Sequence, residues 1–164
     1  IYDPCQRELF TAVRGRGARL NGRRIRVSPV SRLATSLLST GFSSKFRRNP
    51  TPYLQWFQAF QSRCHAVRRA GSTAISLAYV AAGRHDGFYE QDLWPWDIAA
   101  GIVLVEEAGG RVSDFRGRPV QFTVGEVVAS NGHLHEEILT LLQRPVNPHP
   151  HQRERRSKSA RTSR

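Results

Sequence analysis

The 164-residue chain is read as an α/β protein, a layered domain with a substantial sheet. Three observations predict this. Short β-prone runs alternate with helical patterns from residue 36 onward, the alternation that layered α/β domains show. Apolar runs such as IAAGIVLV and AISLAYVAA supply a real core. Turn signals, Asn21-Gly22 above all, break the first 26 residues into short strands and place a hairpin loop there.

The elements follow in order. YDPCQRE makes a turn, LFTAV a strand, RGRG a turn and ARL a strand leading to the Asn21-Gly22 loop. Gly15-Arg16-Gly17 is no dinucleotide fingerprint, because residue 20 is Leu20 and the glycines lie between strands. SLLSTG (36–41) is a buried strand, followed by a polar loop through Pro52. TPYLQWFQAFQSR carries apolar residues at 54, 56, 57 and 60, a helical spacing. HAVRRA is a short strand ending at Gly71, and STAISLAYVAAG a helix closed by Gly83. HDGFYE returns as a strand to Glu90, and Asp97 opens a helix that stops at Gly109-Gly110. RVSDF and EVVAS are strands, and HLHEEILTLL is an amphipathic helix with Asn131 as its N-cap.

Composition narrows the setting. No apolar stretch reaches the roughly 18 residues of a membrane span, and no secretion signal is legible, so the expectation is a cytoplasmic protein off the membrane. Cys5 and Cys64 stand alone, which fits a reducing compartment. The formal charge is +12, of which residues 144–164 carry seven basic groups against Glu154, or +6. That Pro-, Ser- and Arg-rich segment reads as a basic, disordered tail, either solvated without a partner or attracting nucleic acid through phosphates. Arg outnumbers Lys 23 to 2 throughout, which points to compositional bias rather than a dedicated binding stripe. The absence of Met and the opening Ile1-Tyr2 lead to the expectation that an N-terminal part is missing.

Few residues offer chemistry. Asp97 stands between two tryptophans and an apolar run, and a buried carboxylate needs a partner: backbone N–H groups, a cation or a metal. Capping a helix satisfies it, and a cap can still share its second oxygen with a metal. Gly71-Ser72-Thr73 lies at a strand-to-helix junction, where free N–H groups and two hydroxyls could face an anion or sugar hydroxyls, or simply cap the helix. Glu90 ends a strand, where ligands of α/β sheets bind, although an exposed loop carboxylate would look the same. His133 and His135 diverge and make no metal pair, and His149 and His151 lie in the tail.

These residues resemble the inositol monophosphatase family of magnesium-dependent sugar phosphatases. WDIAAGIVLVEEAGG (96–110) matches the family's C-terminal signature. YDPCQRELFTAVRGRGARLNG, STGF, RRAGSTAISLAYVAAGRHDGFYE and VVASNGHLHEEIL follow the family's order, and the similarity covers about residues 1–142. The resemblance implies a layered α/β sandwich with a mixed sheet, the C-terminal half of the inositol monophosphatase-like fold, with 143–164 as a separate tail. It implies hydrolysis of an inositol or related sugar phosphomonoester, with Asp97 a Mg²⁺ ligand, Gly71, Ser72 and Thr73 lining the polyol pocket, and Glu90 accepting substrate hydroxyls. Histidinol phosphate, fructose 1,6-bisphosphate and 3'-phosphoadenosine 5'-phosphate are the alternative substrates. Relatives often dimerise, so a homodimer is a further expectation.

The sequence also departs from the family. An upstream acidic ligand and a D-P-x-D-G-T motif are absent: Asp3-Pro4 continues as Cys-Gln-Arg, and Asp86-Gly87 as Phe-Tyr. One carboxylate cannot hold a magnesium cluster. The expectation is therefore a C-terminal half with negligible turnover alone; the competing reading is a non-catalytic relative that binds nucleic acid through its tail.

Overall fold

The structure, a computed structural model, describes residues 1–144. The reading of the basic tail falls, from residue 145 onward, outside the described residues. Among the described residues, nine strands and four α-helices form two sheets and the layers between and beside them.

The first sheet is an antiparallel meander of β1 (Tyr2–Asp3), β2 (Glu8–Val13), β3 (Gly17–Leu20) and β4 (Arg23–Arg24). The Asn21-Gly22 turn joins β3 to β4, and Asn21 takes the positive φ such turns require. The second sheet is mixed. Its order is β6 (Ala66–Arg68), β5 (Leu37–Thr40), β7 (Gly87–Glu90), β9 (Val127–Ser130) and β8 (Arg111–Ser113). β5 runs parallel to both β6 and β7, whereas β9 runs antiparallel to β7 and β8.

Both faces of the mixed sheet are covered at its centre, so β7 and β9 are buried throughout, while the edge strands β6 and β8 expose Arg68 and Arg111. Successive side chains alternate between two cores. Phe88, Val127 and Ala129 face α2 (Thr73–Ala81) and α3 (Pro95–Glu107), while Tyr89 and Val128 face α1 (Thr51–Gln61) and α4 (His135–Leu142). The meander closes the far side of α3 through Phe10 and Ala18, leaving α2 and α3 between the two sheets. Those helices touch closely: a Cβ on Gly101 would lie 2.4 Å from Leu77 Cδ1.

Several boundaries differ from expectation. The polar loop before residue 52 contains a 3₁₀ turn (Ser44–Arg47), and α1 already starts at Thr51, with Pro52 in its first turn where a missing N–H is harmless. Its buried side chains are Tyr53 and Phe60, whereas Leu54 is 48% exposed, so the apolar stripe is rotated from the predicted phase. RVSDF ends as a strand at Ser113, because Asp114 accepts the backbone N–H groups of Arg116 and Arg118 and turns the chain. Asn131 caps a turn before α4, accepting from the Leu134 N–H at 3.2 Å. No helix among the described residues is long and apolar enough to cross a membrane.

Candidate active site

Parallel β5 and β7 bring their C-terminal ends to the same sheet edge, with Thr40 beside Tyr89. Thr40 donates its hydroxyl to the Tyr89 carbonyl at 2.7 Å, tying the two strand ends together. The N-termini of α2 and α3 arrive at this edge. Between these four elements lies a cleft of about 350 Å³. Gly71, Ser72, Thr73, Glu90 and Asp97 all line it, although they are spread over 27 positions of sequence.

Each side chain has an identifiable hold. Ser72 is the N-cap of α2, its Oγ accepting from the Ile75 N–H at 3.4 Å. Thr73 Oγ1 donates to Glu90 Oε2 at 2.8 Å. Burial pushes the Glu90 carboxyl up to about 7; the charge of Asp97 adds to this, whereas the Thr73 donor and Arg69 oppose it.

Asp97 does not open its helix. α3 starts two residues earlier, at Pro95, whose fixed φ suits a first helical position, and Trp94 is the N-cap. Asp97 reaches back so that Oδ2 accepts the Trp94 N–H at 2.9 Å. The flanking tryptophans do not bury it: Trp94 and Trp96 are 62% and 75% exposed and stack with centroids 5.2 Å apart. The partner that a carboxylate here requires is thus a backbone N–H on one oxygen, and Oδ1 accepts no hydrogen bond from the described residues.

Other lining residues, Gly41 and Arg69 among them, escaped the sequence reading. Gly41 leaves the space that the Glu90 carboxyl fills, since a Cβ there would lie 2.1 Å from Oε1. Its signal was a glycine directly after a buried strand in an α/β order. Arg69 stacks over Phe42, 4.8 Å from the ring centroid, and is a cation on the cleft wall. Asp86 and His135 are committed elsewhere. Asp86 accepts from Ser28 Oγ at 2.5 Å and from the Leu37 N–H at 2.6 Å, bracing the fold. His135 is fully buried between Ser113 and Ser130, and His133 is exposed.

Magnesium fits this donor set only in part. The ion demands near-octahedral oxygen coordination. The cleft offers two carboxyl groups, and one of them, Glu90, is already bonded to Thr73. Among the described residues, no group of three or more His, Cys, Asp or Glu side chains could hold a metal. These residues therefore do not form a complete magnesium site: each of the two carboxyl groups has one oxygen engaged, Asp97 Oδ2 by the Trp94 N–H and Glu90 Oε2 by Thr73.

The inositol monophosphatase family matches residues 1–146, which include every described residue. The chain belongs to that family. Nus factor SuhB of Escherichia coli is 50% identical over 131 residues, covering 80% of this chain and 49% of that protein. An inositol-1-monophosphatase of Rhizobium meliloti is 40% identical over 146 residues, covering 89% and 55% of the two. The solved structure of an inositol monophosphatase from Anabaena superposes with a TM-score of 0.86 at 41% identity, covering 89% of this chain and 58% of that one. The mixed sheet and its helical layers are thus an inositol monophosphatase fold. The chain spans about half the length of the curated relatives it matches.

Proposed function

We propose that this chain contributes the polyol-binding wall and one metal ligand of a magnesium-dependent phosphatase acting on an inositol or related sugar phosphomonoester. One observation carries the reading: five residues from the start of α2, the end of β7 and the first turn of α3 converge on a single cleft at the C-terminal ends of parallel strands, where α/β proteins bind ligands. Family membership supports phosphatase chemistry in general.

In this reading the ring of the substrate lies against Gly71, Ser72 and Thr73 at the start of α2, where unsatisfied N–H groups favour oxygen-rich ligands. Glu90 accepts a ring hydroxyl, and Asp97 Oδ1 supplies one oxygen to Mg²⁺, with the other oxygens coming from residues other than those described here. No reaction step is assigned to the described residues alone. The protein acts in the cytoplasm, and a homodimer is compatible with this arrangement.

A panel of phosphate monoesters assayed with Mg²⁺ and with chelator tests the proposal. Inositol 1-phosphate is expected to exceed histidinol phosphate, fructose 1,6-bisphosphate and 3'-phosphoadenosine 5'-phosphate in kcat/KM. A preference for one of those three moves the substrate assignment to it.

A second reading rests on the name of the 50% identical relative, a Nus factor. Here the fold serves a Nus-factor role, and the +6 tail attracts nucleic acid. It predicts salt-sensitive nucleic-acid binding that is lost when residues 144–164 are removed. Binding that is absent, or unchanged by the deletion, removes the tail from this reading.

A further inference from the structure

Thr73 is placed at the cleft, yet its hydroxyl proton goes to Glu90 rather than into the cleft. A hydroxyl has a single proton to donate. While Thr73 Oγ1 donates to Glu90 Oε2 at 2.8 Å, it can serve a substrate only as an acceptor. Ser72 differs: its Oγ accepts from the Ile75 N–H and keeps its own proton to give.

The other side of Glu90 is equally confined. Its carboxyl carbon and both oxygens lie 2.1–2.4 Å from where a Cβ on residue 41 would stand, so Gly41 alone makes room for it. Glu90 is 8% exposed and ends β7, while Thr73 begins α2. The carboxyl is thus held between a helix start and a glycine, with Oε2 engaged and Oε1 accepting no hydrogen bond from the described residues.

We propose that Thr73 is a positioning residue: by engaging Oε2 it orients Glu90 so that Oε1 is the oxygen that accepts a substrate hydroxyl. The cleft then recognises a polyol phosphate through one hydroxyl at this wall, and esters without such a hydroxyl gain nothing from Thr73. This inference rests on the phosphatase reading above and adds the residue that orders Glu90 within it.

The test compares Thr73→Val, which keeps the branched shape without the hydroxyl, with Thr73→Ser, which keeps the donor. Both are made in the protein expressed from its own gene and assayed on inositol 1-phosphate and on 4-nitrophenyl phosphate. Loss of one hydrogen bond predicts a KM for inositol 1-phosphate raised about three- to tenfold in Thr73→Val, with a smaller change in kcat. Thr73→Ser restores it, and KM for 4-nitrophenyl phosphate does not follow. In a Glu90→Gln background the Val substitution has a smaller effect on KM, because the two residues act through one contact.

A Thr73→Val protein indistinguishable from the parent on inositol 1-phosphate overturns the inference, as does an equal loss on both esters, which marks a packing role. Should Thr73→Val fail to fold, the comparison of Thr73→Ala with Thr73→Ser decides by the same criteria. A parent protein that releases no phosphate from inositol 1-phosphate overturns the phosphatase reading itself, and the inference with it. An active parent with an unaffected Thr73→Val overturns the role of Thr73 alone.

Discussion

The carboxyl group of Glu90 occupies the volume in which a side chain on residue 41 would begin: a Cβ there would stand 2.1 Å from Oε1 and 2.3 Å from the carboxyl carbon. Two residues 49 positions apart are therefore matched in size, one by having no side chain and the other by filling the gap.

Gly41→Ala follows directly. A Cβ cannot coexist with Glu90 in its observed rotamer, so the carboxyl must swing into the cleft it now borders. KM for a polyol phosphate is expected to rise about tenfold or more, the loss of one charge-assisted hydrogen bond and its geometry. Steady-state kinetics with thermal melting in parallel checks this; an unchanged KM shows that Glu90 does not touch the substrate.

Glu90 also makes stability depend on pH. Its folded pKa lies at about 7, above its ordinary 4.5, mainly through burial. The folded state therefore keeps the proton longer than the unfolded chain does, and stability falls as pH rises from 4.5 through 7. Glu90→Gln removes this liability while leaving an acceptor for Thr73. Urea midpoints of parent and variant are expected to agree near pH 4.5 and to diverge by pH 8, the variant being more stable by on the order of 2 kcal/mol. Parallel pH profiles would contradict a buried, displaced titration.

His135 acts in the opposite sense. Ser113 donates its hydroxyl to the Asp114 carbonyl at 2.7 Å, so it accepts from Nε2–H; Ser130 accepts the Gly132 N–H and donates to Nδ1. A second ring proton, on Nδ1, would collide with the proton that Ser130 donates there, so Ser130 would have to turn its hydroxyl away. Burial and the charge of Arg111, opposed by Glu136, hold the imidazole down at about 4 against an ordinary 6.5. The unfolded chain then takes up the proton first, so stability is full above 6.5 and is lost as pH falls toward 4. The decline is on the order of 2–3 kcal/mol and is flattened in His135→Gln, readable in urea midpoints between pH 7 and 4. A slope that survives the substitution assigns the acid sensitivity elsewhere.

Much of the frame was legible because local pattern determines it. Asn21-Gly22 marks its hairpin, and runs such as EVVAS and GFYE lie within a sheet buried on both faces. The strand order was not legible, since β5 pairs with β6 and β7 across tens of residues and nothing local encodes that choice. The phase of α1 failed because YLQWF supports two apolar stripes, and only packing selects Tyr53 over Leu54. The convergence of Gly71, Ser72, Thr73, Glu90 and Asp97 was suggested by strand-end position and family resemblance, not by spacing. Gly41 and Arg69 were missed because a glycine after a strand reads as a turn and an arginine in an arginine-rich chain carries little signal.

The most direct test of the account concerns Asp97. Phosphate release from inositol 1-phosphate is measured against Mg²⁺ concentration for the protein expressed from its own gene, for its Asp97→Asn variant, and for residues 1–164 alone. The account predicts magnesium-dependent turnover in the first and at least about a hundredfold lower kcat/KM in the second, as expected when a charged ligand is replaced by a neutral one. It predicts no measurable turnover in the third, whose described residues hold no complete metal site. Asp97→Asn turning over like the parent at every Mg²⁺ concentration would contradict it, leaving Asp97 as a helix-start residue bonded to Trp94 and nothing more.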